Sequence, residues 1–282
     1  MYELPKDKYP KALNEIPHPP KKLYVVGDVP DDSYFFLTIV GSRKYTAYGK
    51  SVCEEIINGL KGYPIVIVSG LAMGIDTLAH ECAMKAGLKT IAFPGSGLSK
   101  EVLYPRSNMN LAKRIVENGG CVISEFEPDV KAARWTFPQR NRLMAGISQA
   151  VLIIEAEEKS GTLITSKLAI EYNKEVMTVP GNIFSETSKG PHMLLRLGAT
   201  PVTSYKDILT SFGLEEKDTD ETIDTRDLSE DEIKVLQILR SPKTKDDLLG
   251  ELGLPIQEAN TLLSILEIKG LIKEELGEFR RN

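Results

Sequence analysis

Between Phe36 and about Phe212, short aliphatic runs alternate with segments whose apolar residues recur at helical spacing. The runs are rich in valine and isoleucine, which favours strands buried on both faces. This alternation predicts an α/β fold built on a doubly wound, mostly parallel sheet. The predicted strands are Leu37–Val40, Ile65–Val68, Thr90–Phe93, Cys121–Ile123, Ala150–Ile154 and Glu175–Val179. The predicted helices are Thr46–Leu60, Ile75–Ala86, Ser107–Glu117, Pro138–Ile147, and one that Ser160-Gly161-Thr162 cap and that ends at Tyr172.

The stretch from Leu37 to Lys44, LTIVGSRK, joins the first of these strands to its helix. Gly41 ends the strand, and Ser42, Arg43 and Lys44 follow before the helical pattern begins. A helix start exposes backbone N–H groups at the positive end of the helix dipole, and both attract phosphate. For this turn alone, a phosphate site and an ordinary solvated turn are equally good interpretations.

Glycines recur after the other strands, at the edge where doubly wound sheets bind ligands. Several are paired with serine or threonine, as in Ser69-Gly70 and Ser160-Gly161-Thr162. Because turns need glycine anyway, one such loop is weak evidence. Five loops after five strands predict a floor of backbone donors for phosphate or another anion, with turn chemistry alone as the alternative. The glycines concerned are Gly41, Gly70, Gly74, Gly95, Gly97, Gly161 and Gly181.

Two nucleotide-binding motifs are incomplete. Gly49-Lys50-Ser51 resembles the end of a phosphate-binding loop, but Lys44 stands where that motif requires glycine, and the stretch lies inside a predicted helix. Gly95-Ser96-Gly97 begins a dinucleotide fingerprint, but Lys100 takes the place of its third glycine. Neither nucleoside triphosphate hydrolysis nor nicotinamide binding is indicated, and no cofactor is expected.

The segment from Lys131 to Arg142, KAARWTFPQRNR, interleaves cations with aromatic rings. Single-stranded nucleic acid is bound by this combination, because cations follow the backbone and rings stack on unpaired bases. An amphipathic loop and helix with its rings in the core is the alternative, and for Trp135 the two interpretations are equally good. Asn141 lies between Arg140 and Arg142 at a predicted helix start, where cations gain nothing from the dipole. An anionic partner is therefore expected for both arginines, and the candidate DNA contacts in the segment are Arg134, Phe137, Arg140, Asn141 and Arg142.

Catalytic and metal-binding patterns are weak. Asp76 and His80 lie four residues apart on one helix, without a second histidine or cysteine nearby, so no metal site is expected. Asp76 is instead predicted to cap its helix, and His80 to be hydrogen-bonded at an interface. Glu125 and Glu155 follow strands and could act as bases, but no nucleophile or second acid accompanies them. The sequence therefore favours a protein that is not an enzyme.

The charge distribution separates two parts of the chain. Residues 213–282 carry 10 lysines and arginines against 18 acidic residues, whereas residues 1–212 have a net charge of +3. The overall charge of −5 therefore does not exclude a polyanionic partner for the larger part. Three isolated cysteines without metal-ligand spacing indicate a reducing cytoplasm. No apolar run approaches the ~20 residues of a membrane span, so no membrane insertion is expected.

The flanking regions predict two accessory parts. Residues 1–35 are rich in proline and predict an extended arm packed on the main domain of residues 36–212. Residues 213–227 are acidic and nearly free of apolar residues, which is typical of a linker. Residues 228–282 predict three helices and a hairpin-like end, as in a winged helix. Because the third helix is not basic, a protein-interaction or accessory module is favoured over a DNA reader.

Taken together, these motifs resemble the DNA-processing protein A family, DprA, also called Smf. The resemblance covers roughly residues 9 to 205. It rests on the motifs IVGSRKYTAYG, VSGLAMGIDTLAH, VLYPRSN, ISEFEP, FPQRNRLMAGIS, VLIIEA, SGTLIT and VPGNI. It implies an extended Rossmann-like domain that binds single-stranded DNA, homodimers, and help in loading RecA recombinase during natural transformation. The DNA-pocket residues that it implies are Ser42, Arg43, Ser69, Gly70, Arg140, Arg142, Ser160, Gly161 and Thr162.

The match departs from the family pattern at two places. Pro191-His192 stands where the family commonly has an asparagine-containing stretch, so that rim of the pocket is undefined. The N-terminal helical domain of some members has no counterpart, and no contribution from one is expected. The rival interpretation is a nucleotide phosphoribohydrolase on a related scaffold, but its PGGxGT-type sequence is missing.

Overall fold

The structure is a computed structural model that describes residues 1–216, 228–239, 241–275 and 277–281. The chain divides into two compact units, residues 1–215 and 216–282. Most of the predicted acidic linker, residues 217–227, lies outside the described residues.

The first unit is a nine-stranded sheet with helices on both faces. Its strands are β1 (Tyr2–Glu3), β2 (Tyr24–Gly27), β3 (Phe35–Val40), β4 (Ile65–Ser69), β5 (Thr90–Ala92), β6 (Cys121–Ser124), β7 (Ala150–Ile153), β8 (Glu175–Thr178) and β9 (Thr200–Pro201). Its helices are α1 (Lys11–Asn14), α2 (Ala47–Gly59), α3 (Ile75–Lys85), α4 (Met109–Glu117), α5 (Thr136–Ile147), α6 (Thr162–Glu171), α7 (Lys189–Arg196) and α8 (Tyr205–Ser211). The predicted α/β fold with a mostly parallel sheet is confirmed.

The strand order is β1-β2-β6-β5-β4-β3-β7-β8-β9, and β6 through β9 in this order are all parallel. Strands β4, β5 and β6 follow one another on one side of β3. The next strand, β7, pairs with the other side of β3, with Leu37 opposite Ala150. The gap between the carboxyl ends of β3 and β7 is therefore the topological switch point, where open α/β sheets bind their ligands.

The sheet is buried on both faces, which explains its continuous aliphatic strands. Alternate residues of β3 enter two different core clusters: Phe36 and Val40 pack with α5 and α6, while Leu37 and Ile39 pack with α2 and α3. This burial fixes the register of β3, since a slip by one residue would exchange the two sets.

The N-terminal segment forms an antiparallel edge of this sheet. The backbone of β2 pairs with β6, with Tyr24 opposite Ser124, and β1 pairs with β2. Leu4, Leu13 and Leu23 are buried in the main core. The N-terminal segment thus packs on the main domain and also extends its sheet, because the short run Leu23–Val26 contributes β2, whose partner β6 lies about 100 residues away.

The second unit contains three helices and a three-stranded antiparallel sheet. In chain order they are α9 (Glu230–Ile238), β10 (Lys243–Thr244), α10 (Lys245–Leu252), α11 (Ile256–Ile268), β11 (Ile272–Glu275) and β12 (Glu278–Arg281). Ser229 caps α9, because its hydroxyl accepts from the Glu232 N–H at 3.2 Å. Among the described residues, no helix combines the length and apolar character that a bilayer crossing requires.

Candidate nucleic-acid interface

A cavity of about 510 Å³ opens at the switch point. The loop after β3, the start of α6 and the first half of α5 form its walls. We call it the switch-point cavity. Ten of the fourteen residues that the sequence predicts to bind DNA line it, namely Gly41, Ser42, Arg43, Lys44, Phe137, Arg140, Asn141, Ser160, Gly161 and Thr162.

Two glycines let the loop after β3 approach the start of α3. Gly74 has a φ of 94°, and a Cβ on it would lie 2.5 Å from the Cα of Arg43. A Cβ on Gly41 would lie 2.7 Å from Cγ1 of Ile75. The Ile75 N–H donates to the Ser42 carbonyl at 3.1 Å. This close approach fixes the backbone that carries Arg43 at the cavity.

The hydroxyl groups of the cavity hold its loops together. The Ser42 hydroxyl donates to the Lys44 carbonyl at 2.8 Å and accepts from the Lys44 N–H at 3.0 Å. The Thr162 N–H donates to the Ser160 hydroxyl at 3.2 Å, and the Thr162 hydroxyl donates to the Gly41 carbonyl at 3.1 Å. These bonds tie the loop after β3 to the start of α6, so the two walls of the cavity are preorganised.

Arg43 and Lys44 are the exposed cations of the cavity. Within the described part of the chain, neither makes an ion pair with a carboxylate. The Arg43 guanidinium lies 5.9 Å from the ring centroid of Phe137, within the range of a cation–π contact. A polyanion can therefore approach two exposed cations that have no ion-pair partner in the described residues, beside an aromatic ring.

Arg140 occupies a different position from the one expected. Helix α5 begins at Thr136, two residues before the predicted start, because Pro138 is tolerated in the first turn and does not mark the boundary. Arg140 is 6% exposed, and its guanidinium donates to the carbonyls of Gly70 and Phe93 and to Oδ1 of Asn141. Arg140 thus joins the ends of β4 and β5 below the cavity and adds positive charge to it from the protein interior.

Asp76 is the buried carboxylate next to this arginine. It does not cap α3, whose N-cap is Gly74; its Oδ2 instead accepts from the Gly70 N–H at 3.1 Å. Burial raises the pKa of Asp76 to about 6, and the charge of Arg140 opposes this shift. Burial also lowers the pKa of Arg140 to about 10, against the effect of Asp76. At neutral pH both are charged, so Asp76 partly offsets the positive charge that Arg140 contributes.

Arg142 does not line the cavity. Its side chain is 15% exposed, forms an ion pair with Glu125, and donates to the His18 carbonyl at 2.7 Å. Burial raises the pKa of Glu125, and Arg142 opposes this shift. The anionic partner that the sequence required for Arg142 is therefore available inside the protein, and the pair connects α5 with the loop after β6 and the N-terminal segment.

Ser69 and Gly70 also lie outside the switch-point cavity. The Ser69 side chain is fully buried, and its hydroxyl donates to the Ile39 carbonyl at 2.7 Å, which links β4 to β3. Gly70 lines a second, smaller pocket on the other side of Phe137, together with Tyr104. The ring of Tyr104 contacts Phe137 edge-on, with centroids 5.9 Å apart.

The aromatic and basic residues before α5 are exposed. Trp135 is 54% exposed and rests edge-on against Phe126, so it is not a core residue. Arg134 is exposed and lines neither pocket. Both side chains are therefore accessible to a ligand from solvent.

The glycines at the carboxyl edge serve three separate pockets. Gly41 and Gly161 line the switch-point cavity, Gly70 and Gly95 line the smaller pocket, and Gly181 lines a third cavity after β8. The predicted floor of backbone donors is therefore spread over three pockets, the first two of which share Arg43, Ala72, Phe137 and Arg140. Its role in binding an anion stays a prediction.

The candidate bases have structural contacts. Glu155 is 3% exposed and accepts from the Thr46 N–H, the Thr46 hydroxyl and the Thr187 hydroxyl at 2.9, 2.6 and 3.0 Å. His80 Nδ1 is 2.7 Å from the Thr90 hydroxyl, and burial lowers the pKa of His80 to about 3. In the described ranges, no three His, Cys, Asp or Glu side chains are grouped to hold a metal.

Sequence reasoning missed part of the α6 wall. Ile164 and Thr165 line the cavity, as does Glu157 from the loop before the helix. Helical periodicity could have indicated Thr165, because it follows Thr162 by three residues and so shares its face.

A doubly wound sheet with unneutralised cations, backbone turns and an aromatic ring at its switch point defines a class of α/β proteins that bind anionic ligands. A family model described as DNA recombination-mediator protein A matches residues 2–213. The chain is 34% identical over 281 residues to protein Smf of Escherichia coli, covering 97% of this chain and 75% of that protein. It is 40% identical over 206 residues to DNA processing protein DprA of Streptococcus pneumoniae, covering 73% and 72% of the two chains.

Two solved structures show the same fold. DNA processing protein A from Streptococcus pneumoniae has a TM-score of 0.68 at 38% identity and covers 74% of this chain and 73% of its own. The DNA processing protein A from Helicobacter pylori, whose structure was described for its single-stranded-DNA binding mode, has a TM-score of 0.66 at 31% identity. The match covers 75% of this chain and 94% of that one. The chain therefore belongs to the DNA recombination-mediator protein A family.

Proposed function

We propose that this protein binds single-stranded DNA in the switch-point cavity and acts as a recombination mediator without catalytic activity. The observation that carries the proposal is the pair of exposed cations, Arg43 and Lys44, beside Phe137 at the switch point. Cations can follow the phosphates of an unpaired strand while the ring stacks on a base. The mode described for the Helicobacter pylori relative supports the same ligand.

Binding through phosphates has a defined salt dependence. With about four to six phosphates neutralised, log K should fall against log salt with a slope of roughly −3 to −4. A gel shift with labelled single strands and duplexes of equal length tests the ligand. Preference for the single strand is expected; equal or tighter binding to the duplex would refute the assignment.

The cellular role that we propose is protection of incoming DNA and loading of RecA recombinase during natural transformation, by a homodimer in the cytoplasm. The three cysteines are free and buried, which is compatible with a reducing compartment. A strand-exchange assay with RecA and single strands coated by a single-strand-binding protein tests the loading step. Acceleration by this protein is expected, and sedimentation measures the dimer.

We propose further that residues 228–282 form a winged-helix domain that serves as an accessory or protein-interaction module. The order of three helices and an antiparallel sheet supports this fold. Helix α11, the reader in DNA-binding versions, carries Gln257, Glu258 and Ile265 on its outer face rather than cations.

A nucleotide phosphoribohydrolase is the competing function. The hydrogen bonds of Glu155 and the ion pair of Glu125 argue against either as a free catalytic base. Incubation with the four nucleoside monophosphates, followed by chromatography of released bases, separates the two functions. Robust turnover would refute the non-catalytic assignment.

A further inference from the structure

A cavity of about 390 Å³ lies at the carboxyl ends of β7 and β8. We call it the β7–β8 cavity. The two cavities are adjacent and share two loops. In the loop after β3, Lys44 lines the switch-point cavity and Thr46 lines the β7–β8 cavity. In the loop after β7, Glu157 lines the switch-point cavity and Glu155 lines the β7–β8 cavity. Residues two apart are separated by at most about 7 Å, so a chain of nucleotides leaving the first cavity reaches the second.

The polar groups of this cavity suit a neutral ligand. Glu155 is its charged group in the described residues, and a carboxylate disfavours phosphate. Its Oε2 accepts a single hydrogen bond, from the Thr46 N–H, so it retains capacity for another donor. The side chain of Ser188 is 5% exposed and lines the cavity, and its hydroxyl has no hydrogen-bond partner among the described residues. A hydroxyl that lines a cavity can donate a hydrogen bond to a ligand there or accept one from it.

The rim of the cavity is aromatic and exposed. Tyr48 is 49% exposed, and its hydroxyl donates to the Pro180 carbonyl at 2.6 Å, which holds the ring over the loop after β8. Ile183 and Phe184 are 73% and 89% exposed on that loop; they do not line the cavity but lie between two residues that do, Asn182 and Ser185. The Phe184 N–H donates to Oδ1 of Asn182 at 2.9 Å, so the loop has a fixed turn. Large exposed rings beside a polar cavity are the features that bind an unstacked base.

We propose that the β7–β8 cavity binds the base of a nucleotide that neighbours the one held at the switch point. This inference rests on the proposed binding of single-stranded DNA and assigns it a second subsite. Because Glu155 can only accept hydrogen bonds, the subsite favours bases with an exocyclic amino group, such as cytosine, over thymine.

The test uses fluorescence anisotropy with three labelled strands of equal length: oligo(dC), oligo(dT), and an abasic strand that keeps every phosphate. The natural protein should bind oligo(dC) about fivefold more tightly than oligo(dT), and the abasic strand most weakly. Phe184→Ala should weaken both base-containing strands about tenfold and leave the abasic strand unchanged, since the ring contacts no phosphate. Ser188→Ala should weaken oligo(dC) about threefold. Ile268→Ala, which changes an apolar residue of the other unit that is 87% exposed, is the control and should change nothing.

Each other outcome has a distinct meaning. If the natural protein binds no single strand, the proposed function fails and the subsite fails with it. If it binds the three strands equally, or if Phe184→Ala weakens the abasic strand as well, there is no base subsite although DNA binding stands. If Phe184→Ala alters sedimentation and leaves all three affinities unchanged, the rim is a protein contact and the proposal is overturned. Circular dichroism verifies that each variant is folded.

Discussion

Two cations of the first unit and two of the second unit differ in whether they are paired. At the switch point of the first unit, Arg43 and Lys44 are exposed without an ion-pair partner in the described residues. In the second unit, Lys243 and Lys269 form ion pairs with Glu251 and Glu232, each at 2.6 Å. These two cations of the first unit are therefore available to an external polyanion, whereas these two of the second unit are paired internally. The distribution of partners, rather than the number of cations, supports the proposed position of the DNA site.

The second unit also exposes apolar surface. On α11, Ile256 is 68% exposed and Ile268 is 87% exposed, and Asp231 and Glu258 line the shallow pocket beside the helix. A DNA-reading helix would present cations and polar side chains there. Exposed isoleucines with an acidic rim are more typical of a protein contact.

Within the first unit, a paired arginine, Arg142, can be compared with an unpaired one, Arg43. Arg142→Met should destabilise the first unit by about 3 kcal/mol, because it leaves the half-buried Glu125 carboxylate unpaired. Its affinity for single strands should not change. Urea denaturation followed by Trp135 fluorescence measures the stability, and the double variant with Glu125→Gln should recover much of it. A folded Arg142→Met protein that loses tenfold in DNA affinity would place Arg142 in the DNA site after all.

Arg43→Ala should have the opposite effects on DNA affinity and stability. We expect a loss of about tenfold in affinity for every single strand, with stability unchanged, because the side chain is exposed and unpaired. The slope of log K against log salt should become shallower by about 0.7 for one lost phosphate contact. Lys113→Ala, on the outer face of α4, is the matched surface control. A change in base preference with the salt slope intact would show that Arg43 does not contact phosphate.

Acidification should strengthen DNA binding modestly. Because burial raises the pKa of Asp76 to about 6, lowering the pH from about 7 to 5 protonates it and leaves Arg140 and Arg43 uncompensated. We expect affinity to rise a few-fold over this range, measured by anisotropy at constant ionic strength. Asp76→Asn should bind with the higher affinity at both pH values; an equally steep pH profile in that variant would exclude Asp76 as the cause.

The same group affects stability with a defined sign. The native state binds a proton more tightly than the unfolded chain does, since the pKa of Asp76 is higher when it is buried. Between about pH 4 and 6 its contribution to the free energy of unfolding therefore falls as pH rises. Denaturation of the natural protein and of Asp76→Asn across this window isolates the contribution by difference.

Removal of the second unit should have the smallest effect. Deletion of residues 220–282 removes most of the acidic excess of the chain. The first unit should remain folded, and its affinity for single strands should be unchanged or slightly higher, because a like-charged neighbour is gone. Titration of both proteins at matched salt measures this. A tenfold loss, about 1.4 kcal/mol, most visible on duplexes with single-stranded ends, would make the second unit a DNA-binding module.

Most of the sheet could be predicted from the sequence. Central parallel strands are buried on both faces, so they are continuous aliphatic runs that periodicity detects. The short strands β1 and β9 and the pairing of β2 could not be predicted, because edge strands carry weak patterns and their partners are remote in sequence. The start of α5 was misplaced because Pro138 is compatible with either boundary.

The candidate site, too, was predicted from the sequence only in part. The sequence by itself determined that Gly41 to Lys44 and Ser160 to Thr162 follow two parallel strands and therefore meet at one edge. It also predicted an anionic partner for Arg140 and Arg142. Only the tertiary structure decided which partners they have. Arg140 donates to the carbonyls of Gly70 and Phe93, and Arg142 pairs with Glu125, whereas Arg43 forms no ion pair within the described residues. The physical reason is that a charge is neutralised by neighbours in space, and those neighbours lie 17 to 70 residues away along the chain.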